Sequence, residues 1–212
     1  MRTEDLIRTI ALDADAPRKR LLPAVAAAVA LAAVFAGFAT WTLLGARPPV
    51  DPAFAAIRYP LKFVITGSFV ASAGLLVMRL ARPGARLGAA RIALIGAVVV
   101  FAITVVVELA VTPSALWWSR TVGRNALLCL ACVPIISAVP LAVILIALRR
   151  GAPNSPGALG AAAGLLAGAV GATFYAMHCP DDSPLFLAVW YSLAVALMTV
   201  IGSAAGARML RW

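Results

Sequence analysis

The residues able to do chemistry gather in two short stretches. His178-Cys179-Pro180-Asp181-Asp182 holds the chain's single histidine, one of its three cysteines and two adjacent carboxylates, and Cys129 and Cys132 lie upstream with a two-residue gap. Two chemistries suit this set. Cys129 and Cys179 can close a reversible disulfide, or their thiolates can join His178 in binding a soft or borderline ion such as copper or zinc. Cys129-x-x-Cys132 also has the spacing of a dithiol redox motif, and on a helix it turns both sulfurs to one face. Plainer explanations stand beside these. A cysteine in an apolar helix is usually a small hydrophobe, which suits Cys132 best. Asp181 and Asp182 can be a solvated turn, with Pro180 and Pro184 stopping the neighbouring helices. Cys179, in a polar turn beside a histidine, is the one that packing explains least.

The elements that must position these groups follow from composition. Of 212 residues 63% are apolar and 12% charged, against about a quarter charged in soluble domains. With a mean hydropathy of +1.00, a soluble globule and a disordered chain are both excluded. Three cysteines are too few for a disulfide scaffold. A bilayer core about 30 Å thick takes about 20 apolar residues per helix. Charge-free runs of that order occur at Leu21 to Ala46, Phe63 to Met78, Ile92 to about Val111, Ala126 to Leu148, Ala158 to Met177 and Leu185 to Ala207. Lys62 snorkelling would lengthen the second run by Tyr59 to Leu61, and Glu108 interrupts the third. The reading is an all-α, polytopic bundle of six transmembrane helices (residues 21–212), preceded by a tail over residues 1–20. The first run is too long for the apolar core of a cleaved signal peptide, and no alternating ten-residue segments suggest a barrel.

Basic residues set the orientation. Thirteen lie in the tail, the second and fourth connections and the C-terminus, including Arg79, Arg82, Arg86, Arg91, Arg149, Arg150, Arg208 and Arg211. Five, Arg47, Arg58, Lys62, Arg120 and Arg124, fall on the other side. The positive-inside rule places both termini in the cytoplasm. Trp41, Tyr59, Trp117, Trp118, Tyr175, Trp190 and Tyr191 then collect near the outer interface. Cys129, Glu108 and the histidine–cysteine turn converge on that same outer end, which in a bacterial cell faces an oxidising compartment. Glu108 costs about 2.5–3.5 kcal/mol in a span, so it should meet a cation such as Arg120 or Arg124. The formal charge of +10 is spent on flanking the spans and meeting the lipid bilayer, and no soluble module remains for direct nucleic-acid binding.

In the tail, Thr3 can cap a helix that opens with Glu4 and Asp5. Leu6, Ile7 and Ile10 make an apolar stripe, Asp13 and Asp15 follow, and Pro17 is expected to end the helix. Alone it is marginal in water. Its acidic polar face suits a basic protein partner better than anionic lipid. Gly160, Gly164 and Gly168 in the fifth span and Gly202 and Gly206 in the sixth allow close helix approach, within one chain or in a homo-oligomer. Pro134 and Pro140 should kink the fourth span. A quinone-coupled thiol–disulfide oxidoreductase is the enzymatic alternative, but it wants a second cysteine pair, and only Cys179 remains. A transporter wants polar residues along a path, and Glu108 is nearly alone.

His178-Cys179-Pro180-Asp181-Asp182-Ser183-Pro184 followed by Phe186 and Trp190-Tyr191 resembles the NrsF family of bacterial membrane anti-sigma factors. Cys129-Leu130 with Pro134 and Pro140, Arg149-Arg150-Gly151-Ala152-Pro153, Asp5-Leu6-Ile7 and Leu210-Arg211-Trp212 extend the likeness over nearly the whole chain. The resemblance implies a six-helix inner-membrane protein, not an enzyme, that holds an extracytoplasmic-function sigma factor inactive and responds to metal or oxidative stress. It also implies that Cys129 and Cys179 are the two characteristic cysteines and that Cys132 is an addition. On this reading Asp5, Leu6, Ile7, Ile10 and Asp13 would dock the sigma factor, while Cys129, Cys179, His178, Asp181 and Asp182 would form the sensing end. Any copper or zinc would be bound transiently.

Overall fold

The computed structural model describes residues 3–151 and 153–211, and for residues 3 and 6–20 it describes the backbone alone. The described residues are helical, without a strand. Helix α1 (Thr3–Leu44) is followed by α2 (Pro52–Leu80) and α3 (Gly88–Val111). A short α4 (Trp117–Val122) precedes α5 (Ala126–Leu148) and α6 (Pro156–His178). The last span, Pro184–Met209, is one apolar stretch built from α7 (Pro184–Phe186), a π-helical turn at Leu187–Tyr191 and α8 (Ser192–Met209). Six of these stretches are long and apolar enough to cross a membrane, the architecture of a multi-pass membrane protein.

Two expectations about element ends are corrected. The tail helix does not stop at Pro17: α1 runs unbroken from Thr3 into the first span. A proline removes one amide donor and crowds the turn before it, at about 3 kcal/mol, and a helix of this length carries that local cost. The second span begins earlier than its charge-free run, because Asp51 caps α2 by accepting the amide of Ala53 at 2.9 Å. Arg58 and Lys62 therefore lie inside α2 rather than flanking it. Helix α5 likewise continues through Pro134 and Pro140, and the short α4 lies in the connection between the third and fourth spans.

Helix α6 is the most buried span and α3 the least. Around α6 pack α8, α2, α5 and α1, whereas α3 leans mainly on α2 and the start of the last span. The glycine repeats explain the tightest of these contacts. A Cβ on Gly160 would overlap the carbonyl oxygen of Gly202, and one on Gly164 would overlap that of Met198. The small residues thus seat α6 against α8 within this chain, an intramolecular use of the spacing. The bundle has two ends. Gly151 lies beside Leu21 and Ala81 at the end carrying the termini, and the cysteine-bearing turn lies at the other.

Candidate functional site

The turn at residues 179–183 is tied to four other elements, and its anchors are charges that hydropathy treats as span boundaries. Lys62, on α2, is 1% exposed. Its ammonium donates to the Cys179 carbonyl at 2.9 Å and the Asp181 carbonyl at 3.4 Å, and pairs with the Asp182 carboxylate at 2.8 Å. Arg47, just beyond α1, pairs with the same carboxylate and lies over the Tyr59 ring at 4.1 Å. Asp181 accepts the backbone amides of Arg124 and Asn125 at 3.2 and 3.0 Å, together with the Asn125 side-chain amide at 3.0 Å. These groups lead into α5, where a carboxylate also favours the positive end of the helix dipole. The Ser183 hydroxyl caps α7 through the amide of Leu185 and reaches Glu108 on α3 at 3.5 Å.

Glu108 is buried, as its position in an apolar run requires. Arg58 holds it at 3.0 Å and Arg120 at 3.0 Å. Both guanidiniums lie over the Phe54 ring, at 4.5 and 4.9 Å, a contact that adds about 0.5–2 kcal/mol as desolvation increases. Of the two cations foreseen for Glu108, Arg120 is the partner, Arg124 serves Asp181 through its amide, and Arg58 was not foreseen. Three readings from sequence are corrected here. Lys62 does not snorkel, because Asp182 and two carbonyls satisfy it in the interior. Asp182 is no solvated turn residue. Tyr175 and Tyr191 are not interface anchors, being buried with ring centroids 5.8 Å apart. Trp41 and Trp118 do lie exposed.

Beneath this charged layer are the thiols. Cys129 and Cys179 are fully buried in one core, Cys132 is half-buried, and all three are free. Cys129 and Cys179 lie within electrostatic reach of each other. Among the described residues the hydroxyls of Tyr175 and Tyr191 have no oxygen or nitrogen partner, and both lie within hydrogen-bonding reach of Cys179. Burial pushes the Cys179 thiol up from its ordinary value, offset only in part by the Lys62 charge and by hydrogen bonding from the Asp181 backbone to the sulfur. His178 is turned away from the sulfurs, with Nδ1 3.3 Å from the Gly45 carbonyl at the end of α1. Among the described residues, no three His, Cys, Asp or Glu side chains are grouped to hold a metal ion. The Cys129–His178–Cys179 donor set is therefore not assembled. Of the tail residues read as a docking stripe, Asp5 is exposed, and the side chains of Leu6, Ile7, Ile10 and Asp13 lie outside the described residues.

A polar crevice of about 530 Å³ opens above the turn, lined by Phe54, Trp118, Arg120, Arg124, Asp181 and Ser183 among others. Gly123 forms its floor at φ 60°, and a Cβ there would press into the Phe186 ring and the Asp181 carboxyl. Solutes can thus approach the charged layer, but the sulfurs stay shielded beneath it. One consequence is measurable. Since the thiolate is the reacting species and burial disfavours it, a maleimide should modify Cys179 slowly at neutral pH and faster as pH rises. Asp182→Asn, which removes the carboxylate charge that pairs with Lys62 and Arg47, should speed the reaction severalfold. Rapid native labelling at neutral pH would contradict the buried position. Lys62, Arg47 and Arg58 are the site residues that sequence reasoning missed. The available signal was a lysine between apolar runs in a chain that offered acids to meet such cations, Glu108 in a span and Asp182 in the cysteine turn.

A family model described as NrsF, negative regulator of sigma F, matches residues 10–212. The chain is 37% identical to a protein of Caulobacter vibrioides named anti-sigma-F factor NrsF, and 31% identical to one of Azospira oryzae named probable anti-sigma-F factor NrsF, each over the whole of both chains. No solved structure matches.

Proposed function

The chain belongs to the NrsF family, and from that premise we propose that it is a membrane-embedded anti-sigma factor of the bacterial inner membrane. The family naming goes with a regulatory, non-enzymatic role. In this reading the tail faces the cytoplasm and sequesters a sigma factor of the extracytoplasmic-function class. An event at Cys129 and Cys179 on the opposite side then releases it. Oxidation would join the two sulfurs, with two protons and two electrons passing to a thiol oxidant. A thiophilic ion such as copper or zinc bridging the same two sulfurs would be the other input, without a third ligand from His178.

The observation that carries this reading is the continuity of α1. A helix from Thr3 to Leu44 is about 60 Å long at ~1.5 Å per residue. The segment just beyond its far end meets the last residue of α6 through the Gly45 carbonyl and His178, and the cysteine turn through Arg47 and Asp182. A displacement of the turn would therefore act on the same rigid element that begins as the tail. Joining Cys129 to Cys179 would pull on the segment that Lys62, Arg47 and Asn125 hold, and a differential of about 5.5 kcal/mol suffices to invert a 1:99 population.

The test is a reporter driven by the cognate sigma factor. Cys129→Ser and Cys179→Ser should each keep the protein at normal membrane levels and abolish induction by a thiol oxidant. A wild-type dose–response in both variants would remove the sensing proposal while leaving the anti-sigma role intact.

A further inference from the structure

A second cavity, also about 530 Å³, lies within the spans, between α2 and α3 on one side and α6 and α8 on the other. It exists because α3 packs on α2 and the start of the last span but stands off α8. Its walls are apolar, with Phe69, Phe101, Leu187 and Val195 prominent. The threonine and serine hydroxyls there are already used: Thr66 donates to the Lys62 carbonyl at 2.9 Å, Ser192 to that of Leu187 at 3.4 Å and Thr199 to that of Val195 at 2.8 Å. An occupant is therefore offered shape and dispersion but few hydrogen bonds. A cleft of this kind opening sideways in a bilayer accepts a hydrocarbon chain.

The charges above it select the source of that chain. Arg58 is seven residues before the wall residue Ile65 on α2, and Glu108 is seven beyond Phe101 on α3, each about 10 Å along its helix. There Arg58 and Arg120 share one carboxylate, so the group is net positive, and both guanidiniums remain about a fifth to a quarter exposed. We propose that this cleft is a binding site for an anionic phospholipid, with one acyl chain between α3 and α8 and the phosphate beside Arg58 and Arg120. The π-helical turn at Leu187–Tyr191 supplies two wall residues, and such turns often mark functional positions. Tyr191 is among them, so the chain would lie against the ring whose hydroxyl is within reach of Cys179.

The full-length protein, reconstituted in phosphatidylethanolamine vesicles, would be irradiated with phosphatidylglycerol carrying a diazirine on its acyl chain, and the labelled residues mapped. Labelling should be severalfold richer at Phe101 and Val195 than at Ile103 and Val34, which face outward. Ala196→Phe, or Val98→Phe from the opposite wall, should abolish the enrichment while leaving Ile103 and Val34 labelled as before, which also reports that the fold persists. Replacing the probe by a diazirine phosphatidylcholine should weaken the enrichment. Equal labelling of cleft and outward residues would overturn the proposal. So would displacement of the probe by an equimolar isoprenoid quinone, which would make the site a quinone site, or cross-links to a second copy in place of lipid.

Discussion

Removing residues 2–16 should leave six inserted helices at normal membrane levels and should raise sigma-dependent transcription to the level seen without the protein. Insertion survives because Pro17-Arg18-Lys19-Arg20 still precede the first span and keep its positive flank. Repression should fail because the deleted segment carries the proposed docking stripe of Glu4, Asp5, Leu6, Ile7 and Ile10, while the remaining connections on that side are short and arginine-rich. A reporter assay beside a membrane immunoblot reads both quantities. Intact repression at normal levels would move the docking surface to the connections around Arg79–Arg91 or Arg149–Arg150.

The second large effect concerns the Lys62–Asp182 pair. Breaking a buried pair by removing one partner costs about 3–5 kcal/mol, because a charge is left without its counter-ion, whereas replacing both often costs far less. Asp182→Ala strands Lys62 in the interior and also releases Arg47, so the purified protein should lose several degrees of thermal stability and expose the cysteine turn. Adding Lys62→Met should recover most of that loss, as a double-mutant cycle would register. The double variant should nonetheless respond poorly to oxidant, because the turn no longer grips α2. Additive destabilisation would mean that the pair does not act as a unit.

How much of this was legible in the sequence depends on which residues carry the information. The six spans were readable because a hydrocarbon slab imposes a length on every apolar run, and Ala126–Leu148 falls where its charge-free run does. The start of α2 was not, because Arg58 and Lys62 look like flanking charges until Glu108 and Asp182 are seen to meet them from α3 and from the turn. Pro17 misled for a related reason. Proline's local cost is legible, but the stability of the long helix that absorbs it is not. For the glycines, spacing announced a close approach and only three dimensions named α8 as the partner. The cysteine turn was found as a motif, yet the burial of its sulfurs under a layer of ion pairs reverses the chemistry one would infer from its polar neighbours. Asp181 and Asp182 anchor the turn to its neighbours and are not a solvated rim.

In the proposed function the state of two sulfurs at one end of the bundle is coupled to sigma-factor affinity at the other. The most direct test of that coupling is a titration of the purified protein in nanodiscs with the sigma factor, before and after oxidation by a diazene that takes up the two thiol protons and electrons. Coupling through α1 predicts that binding weakens by at least tenfold on oxidation, returns with dithiothreitol, and is unaffected by oxidant in Cys179→Ser. The same affinity in the oxidised and reduced proteins, with the Cys129–Cys179 bond verified by mass spectrometry, would contradict it.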